Sequence, residues 1–214
     1  MPHLLRRLHR DQRGLALLEF AFTLPIVLTI ALYGVEIANY GISILRVHQI
    51  AATAADNAAR VRESISEADV NEVLLGGKIV GEAMNFATRG RIVLSDVMPN
   101  GKTGSLAGQT ILWQRCSGTL NRTESQPQYG TQGKGANDAS LQAMGATGRQ
   151  IAASAGSAMI FAEVTYVYEP IFSTVVLGTP VIRSEASFTV RERASETLNA
   201  ATGSTPSVCT RYDL

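Results

Sequence analysis

The run Leu15–Val35, LALLEFAFTLPIVLTIALYGV, carries a single charged residue, Glu19, and lies between Arg13 and Glu36. As an α-helix it rises ~31 Å at about 1.5 Å per residue, which matches a bilayer hydrocarbon core of roughly 30 Å. The stretch therefore reads as a membrane span, and it places the rest of the chain. The segment before it, 1–14, holds Arg6, Arg7, Arg10 and Arg13 against Asp11 alone, whereas everything after it is of mixed charge. This arginine excess puts residues 1–14 in the cytoplasm and residues 36–214 outside.

Of 214 residues, those beyond the span suffice for one extracytoplasmic domain with its own core. The net charge of +1 conceals an uneven distribution, because the basic arm carries +3 and the remainder about −2. No basic face is left to suggest a nucleic-acid partner. Cys116 and Cys209, the two cysteines of the chain, both fall on the outer side, where a disulfide is permitted; two free thiols are the alternative. A cleaved signal peptide fits less well than a retained anchor. The apolar run is longer than the roughly 7–15 residues usual for such a peptide, and the nearest small-residue pattern, Ala52-Thr53-Ala54, lies far downstream.

Glu19 is the anomaly within the span. A carboxylate at the centre of a membrane helix costs roughly 2.5–3.5 kcal/mol, less near an end, and the short glutamate stem reaches poorly to the interface. The leader MPHLLRRLHRDQRG, its terminal Gly14, Glu19 as the fifth residue after it, Phe20 and Leu24-Pro25 together resemble the start of a type IVb prepilin or pseudopilin. The closest resemblance is to the TadE/TadG-like proteins of the tight-adherence (Flp) pilus system. Gly34-Val35-Glu36 and the alanine-rich helix behind it are similar to that family, as are Ile111–Cys116 and the run from Met144 to Pro170. The specific part of the pattern lies within positions 1–60. The resemblance implies insertion in the bacterial inner membrane and cleavage by a prepilin peptidase between Gly14 and Leu15. It also implies lateral packing against other pilin or pseudopilin subunits and the pilus assembly machinery, through Glu19, Phe20 and Pro25. For Pro25 a plain kink is the alternative, since membrane helices tolerate proline.

From Glu36 the helix is expected to continue as an amphipathic helix to about Glu63. Ile42, Leu45, Ile50, Ala54, Ala58, Val61 and Ile65 form its apolar stripe, with Arg46, Gln49, Asp56, Arg60 and Arg62 largely off it. A second helix is expected from Ser66 to Gly90, opened by a Ser66–Asp69 capping box and weakened by Gly76, Gly77 and Gly81, which predict a kink or a close contact. Arg91–Met98, Thr110–Cys116, Ala158–Glu169 and Val181–Arg193 read as strands. In the last of these Ile182, Ala186, Phe188 and Val190 share one face, which predicts an antiparallel sheet with one buried and one wet side. Ser117–Asp138 is expected to be a long exposed loop, Ala139–Gly156 a short helix using Leu141, Met144 and Ile151, and Ala200–Leu214 a tail tied by Cys209. The fold class is α+β: a transmembrane helix, its extracytoplasmic continuation and a second helix on a small antiparallel sheet, in the manner of a pilin.

Catalytic chemistry is not evident. His3 and His9 lie in the arm and His48 on the juxtamembrane helix, so they form no zinc or acid–base pair. Gly101-Lys102-Thr103 imitates the end of a phosphate-binding loop, but Asp96 stands where its first glycine belongs. Asn121-Arg122-Thr123 fits a glycosylation sequon, a pattern common by chance. The expectation is a non-enzymatic minor pilin or pseudopilin acting in assembly of an adherence pilus, with no cofactor, metal, nucleic acid or small-molecule substrate. A single-span extracytoplasmic binding or sensing module is the open alternative.

Overall fold

The computed structural model describes residues 13–172 and 174–212. Arg6, Arg7, Arg10 and Asp11 of the leader lie outside the described residues. The fold is α+β, with a long apolar N-terminal helix and a small antiparallel sheet, and the chain divides into two compact units. One holds residues 1–41 and 170–178, the other residues 42–169 and 179–214.

Helix α1 runs without interruption from Arg13 to Ala59. Along its second half Val47, Ile50, Ala51, Ala54, Ala55, Ala58 and Ala59 are buried, mostly small residues that let a neighbour approach closely. Ile42 and Leu45, expected on this stripe, are instead exposed, because the buried face begins at Ser43 and Val47. The helix also stops before Glu63. Its last carbonyls are taken by partners distant in sequence: Arg193 Nη2 donates to Ala58 O at 2.5 Å and the Arg191 N–H to Ala59 O at 3.2 Å. These bonds fill the acceptors that a further helical turn would have used.

Glu63 turns the chain with φ 59° into a strand the sequence did not announce, β1 (Glu63–Ser66). Ser66 then caps α2 (Glu67–Val80) in the expected box, its hydroxyl accepting the Asp69 N–H while its own N–H donates to the Asp69 carboxylate at 2.8 Å. The second helix does not reach Gly90. After Gly81 come a short 3-10 turn (Glu82–Met84) and α3 (Phe86–Arg89), with Asn85 left-handed between them. Packing gives the reason: a Cβ on Gly77 would stand 2.5 Å from Ile92 Cδ1, and one on Gly81 2.4 Å from Phe86 Cβ. The glycines are gaps into which Ile92 and Phe86 fit; Gly76, by contrast, faces open space.

Strands β2 (Gly90–Pro99), β3 (Gln109–Ser117), β4 (Met159–Val167) and β5 (Val181–Thr189) form an antiparallel sheet in the order β3-β2-β4-β5. The expected strand Val181–Arg193 is in fact two. It breaks at Glu192, φ 53°, and β6 (Arg193–Asn199) leaves to pair in parallel with β1. Between β4 and β5 lies a single-turn helix, α4 (Thr174–Leu177).

The sheet is not wet on one side. Ile92, Leu94, Trp113, Val164 and Tyr166 fill the face toward α1 and α2, whereas Val97, Ile111, Met159 and Phe161 on the other face pack with Leu141, Met144 and Ala153. The segment 118–157 supplies this cover through Tyr129, Leu141, Met144 and Ala153; its part 139–156 forms no helix, while much of 118–138 is exposed. Its order comes from backbone hydrogen bonds to strand β3. Ile111 N–H donates to Lys134 O at 3.1 Å, Gly133 N–H to Ile111 O at 2.8 Å and Gln109 N–H to Leu141 O at 2.7 Å. Asn100 Nδ2 adds bonds to the carbonyls of Leu106, Gly135 and Asp138. A low apolar content misleads here because backbone groups, more than side chains, hold the segment.

Candidate functional site

The first part of α1 has the surface a membrane would cover. It is long and apolar enough to cross one, and the apolar window is wholly exposed in the isolated chain. Leu17 is 73% exposed, Phe22 70% and Ile30 67%. Polar groups left in such a setting have to be answered locally. Thr23 Oγ1 donates to Glu19 O at 3.0 Å and Phe20 O at 3.2 Å, and Thr29 Oγ1 donates to Pro25 O at 2.6 Å. Pro25 lies inside the helix without ending it; lacking an N–H, it leaves the Ala21 carbonyl without its i+4 donor.

Gly14, Leu15, Glu19, Phe20 and Pro25 therefore share one exposed helical segment. Gly14 has open space around its Cα, and Glu19 follows Leu15 by one helical turn on the exposed surface. Nothing among the described residues covers them.

Glu36 breaks this exposure. Its side chain is only 2% exposed, and its carboxylate accepts the Ile171 N–H at 3.1 and 3.2 Å and the Phe172 N–H at 3.0 Å. Sequence reasoning noted Glu36 as the end of the span but gave it no contact. The signal available was the β4–β5 connection itself, where Ile171, Phe172, Val175, Val176 and Leu177 stand with no charged residue from Pro170 to Gly178.

In the other unit the two cysteines are joined, Cys116 on β3 to Cys209 in the tail, with Cα atoms 4.7 Å apart. Arg91, 1% exposed, holds the same tail through the carbonyls of Cys209 at 2.6 Å and Arg211 at 3.2 Å, and its guanidinium stacks 4.0 Å from the Tyr212 ring. On the far face of the sheet, Glu163 is buried. Its Oε1 accepts the Gln128 N–H at 3.0 Å and its Oε2 has no hydrogen-bond partner. Burial pushes its carboxyl up to about 7, with Arg183 at 3.9 Å only partly opposing the rise. Glu185, its cross-strand neighbour, accepts Tyr129 Oη at 2.5 Å, and burial raises the Tyr129 phenol. His48 meets Ser184 at 2.7 Å beside a cleft of 470 Å³ that Arg149, Arg183 and Glu185 also line.

Compared with family models, with curated proteins and with solved structures, the chain matches none. Among the described residues no three of His, Cys, Asp or Glu are grouped to hold a metal ion. The two carboxyls that burial raises, Glu163 and Asp96, each lie beside an arginine partner inside the fold.

Proposed function

We propose that this chain is a membrane-anchored minor pilin or pseudopilin that acts, without catalysis of its own, in assembly of a Flp-type (type IVb) pilus. The observation that carries the reading is the helix Arg13–Ala59, exposed from Leu15 to Val35 and uncharged there except for Glu19, one turn after Leu15. Removal of the leader after Gly14 by a prepilin peptidase would leave an ammonium on Leu15 within reach of Glu19 on the same chain or on a neighbour. Pairing in a poorly solvated site offsets part of the carboxylate's desolvation, and a single charge there is strongly unfavourable. The pair thus selects one stagger between adjacent spans. The arginines of the leader set the orientation in the inner membrane, N-terminus cytoplasmic and the larger unit outside.

The test is Glu19→Gln. Insertion stays intact or improves, because an apolar helix inserts more readily, while co-isolation with the major pilin and surface piliation fall. Wild-type levels of both would reduce Glu19 to a tolerated polar residue and remove the basis of the reading. Mass spectrometry of the membrane-extracted protein tests the processing step separately, with Leu15 expected as the first residue.

A further inference from the structure

The connection between β4 and β5 is apolar in an unusual place. From Pro170 to Gly178 most residues are large and apolar and none is charged, yet Ile171 is 55% and Phe172 51% exposed. A connection between two strands ordinarily meets water and carries polar turn residues. This one belongs to the same compact unit as the apolar half of α1, to which Glu36 binds it. Glu36 directly follows Val35, the last residue of the span, at the level where a helix of that length reaches the outer boundary of the hydrocarbon.

We infer that residues 170–172 form a second membrane contact, a shallow wedge whose Ile171 and Phe172 side chains enter the outer-leaflet interface of a lipid bilayer. The inference rests on α1 being a membrane span. Backbone N–H groups carried into the interface need an acceptor, and a carboxylate at the end of the span needs donors; Glu36 with Ile171 and Phe172 answers both needs at once. The hydrogen bonds hold the main chain at the helix surface and leave the two large side chains exposed, alongside the exposed Val35 and Ile37 of α1. Lipid fits this surface better than a water-borne ligand, since the Ile171 and Phe172 N–H groups and the Glu36 carboxylate are already used within the unit. The wedge would fix the tilt and rotation of the span, as interfacial anchors do.

The experiment uses the full chain carrying Phe172→Trp, reconstituted in phosphatidylcholine vesicles brominated either near the headgroup or near the acyl-chain ends. Trp113, 2% exposed within the sheet, is the internal reference. The introduced tryptophan should lose about half or more of its emission to the shallow bromines and little to the deep ones, the depth expected of an interfacial side chain. Adding Glu36→Gln, which keeps one accepting oxygen, should weaken that quenching; unchanged quenching would remove Glu36 from the mechanism. An introduced tryptophan reached by aqueous iodide and untouched by bromine overturns the inference. So does one shielded from both, which would mean a second copy or another protein covers it. Leu28→Trp, quenched from the deep position, tests the span independently. If Leu28→Trp is quenched and Phe172→Trp is not, only the wedge fails; if neither is, the span reading fails and the wedge with it. Should Phe172→Trp lose the Cys116–Cys209 disulfide, Ile171→Trp gives the same readout.

Discussion

Arg193 Nη1 lies 3.3 Å from Asp96 Oδ2, and neither side chain touches solvent. The same guanidinium reaches Glu196 at 2.7 Å and the carbonyls of Val61 and Ala58, so one residue of β6 joins the sheet to the end of α1. Two carboxylates share one cation in this site, and burial with the nearby Glu196 raises the Asp96 carboxyl above its ordinary range.

Replacing Arg193 leaves Asp96 buried without its cation. Arg193→Met should lower stability by about 3–5 kcal/mol, the usual effect of breaking a buried pair from one side. Adding Asp96→Asn should restore part of it. Denaturant unfolding of the single and double variants in detergent checks the coupling; independent effects that simply add would contradict it.

Glu163 makes stability depend on pH in a stated direction. Its folded-state carboxyl titrates at about 7 against an ordinary 4.5, so between these values the folded chain holds a proton that the unfolded chain has released. Stability is therefore highest below about pH 4.5 as far as this group is concerned, and falls as pH rises to about 7, by on the order of 3 kcal/mol in all. Glu163→Gln should flatten the slope and raise the melting temperature at pH 8, with little change at pH 5. A variant as pH-dependent as the parent would assign the slope elsewhere.

The Cys116–Cys209 bond closes a sequence separation of 93 residues. In the loop-entropy model such a closure restricts the unfolded chain by ~4–5 kcal/mol. Cys209→Ser should lower the unfolding midpoint accordingly and loosen the tail. Proteolysis near residues 200–212 should then begin before global unfolding, since the segment comes to depend on its hydrogen bonds to Arg91, Asn71 and the Cys116 N–H.

Adjacent glycines in α2 should respond oppositely to alanine. Gly76→Ala meets open space and gains helix propensity, up to about 1 kcal/mol of stability. Gly77→Ala forces Ile92 from its place and should cost about 1–3 kcal/mol. Thermal unfolding of both variants distinguishes this contact from a general helix effect.

Properties that reside in a short run of side chains were legible without the fold. The length and apolarity of Leu15–Val35, the Ser66 cap, the four sheet segments and the small-residue face of α1 all follow from local periodicity and composition. The exposed placement of Gly14, Leu15, Glu19, Phe20 and Pro25 follows in the same way. Tertiary structure alone decided what backbone groups distant in sequence do for one another. Glu63–Ser66 left the helix because Arg191 and Arg193 took the carbonyls that another turn needed. Residues 118–157 became an ordered cover because β3 offered them an edge. Glu36 found donors at Ile171 and Phe172, positions 135 and 136 further along the chain. Main-chain N–H and C=O groups are the same at almost every position, so their long-range pairing leaves no mark on the sequence; it exists only once the sheet has brought the segments together.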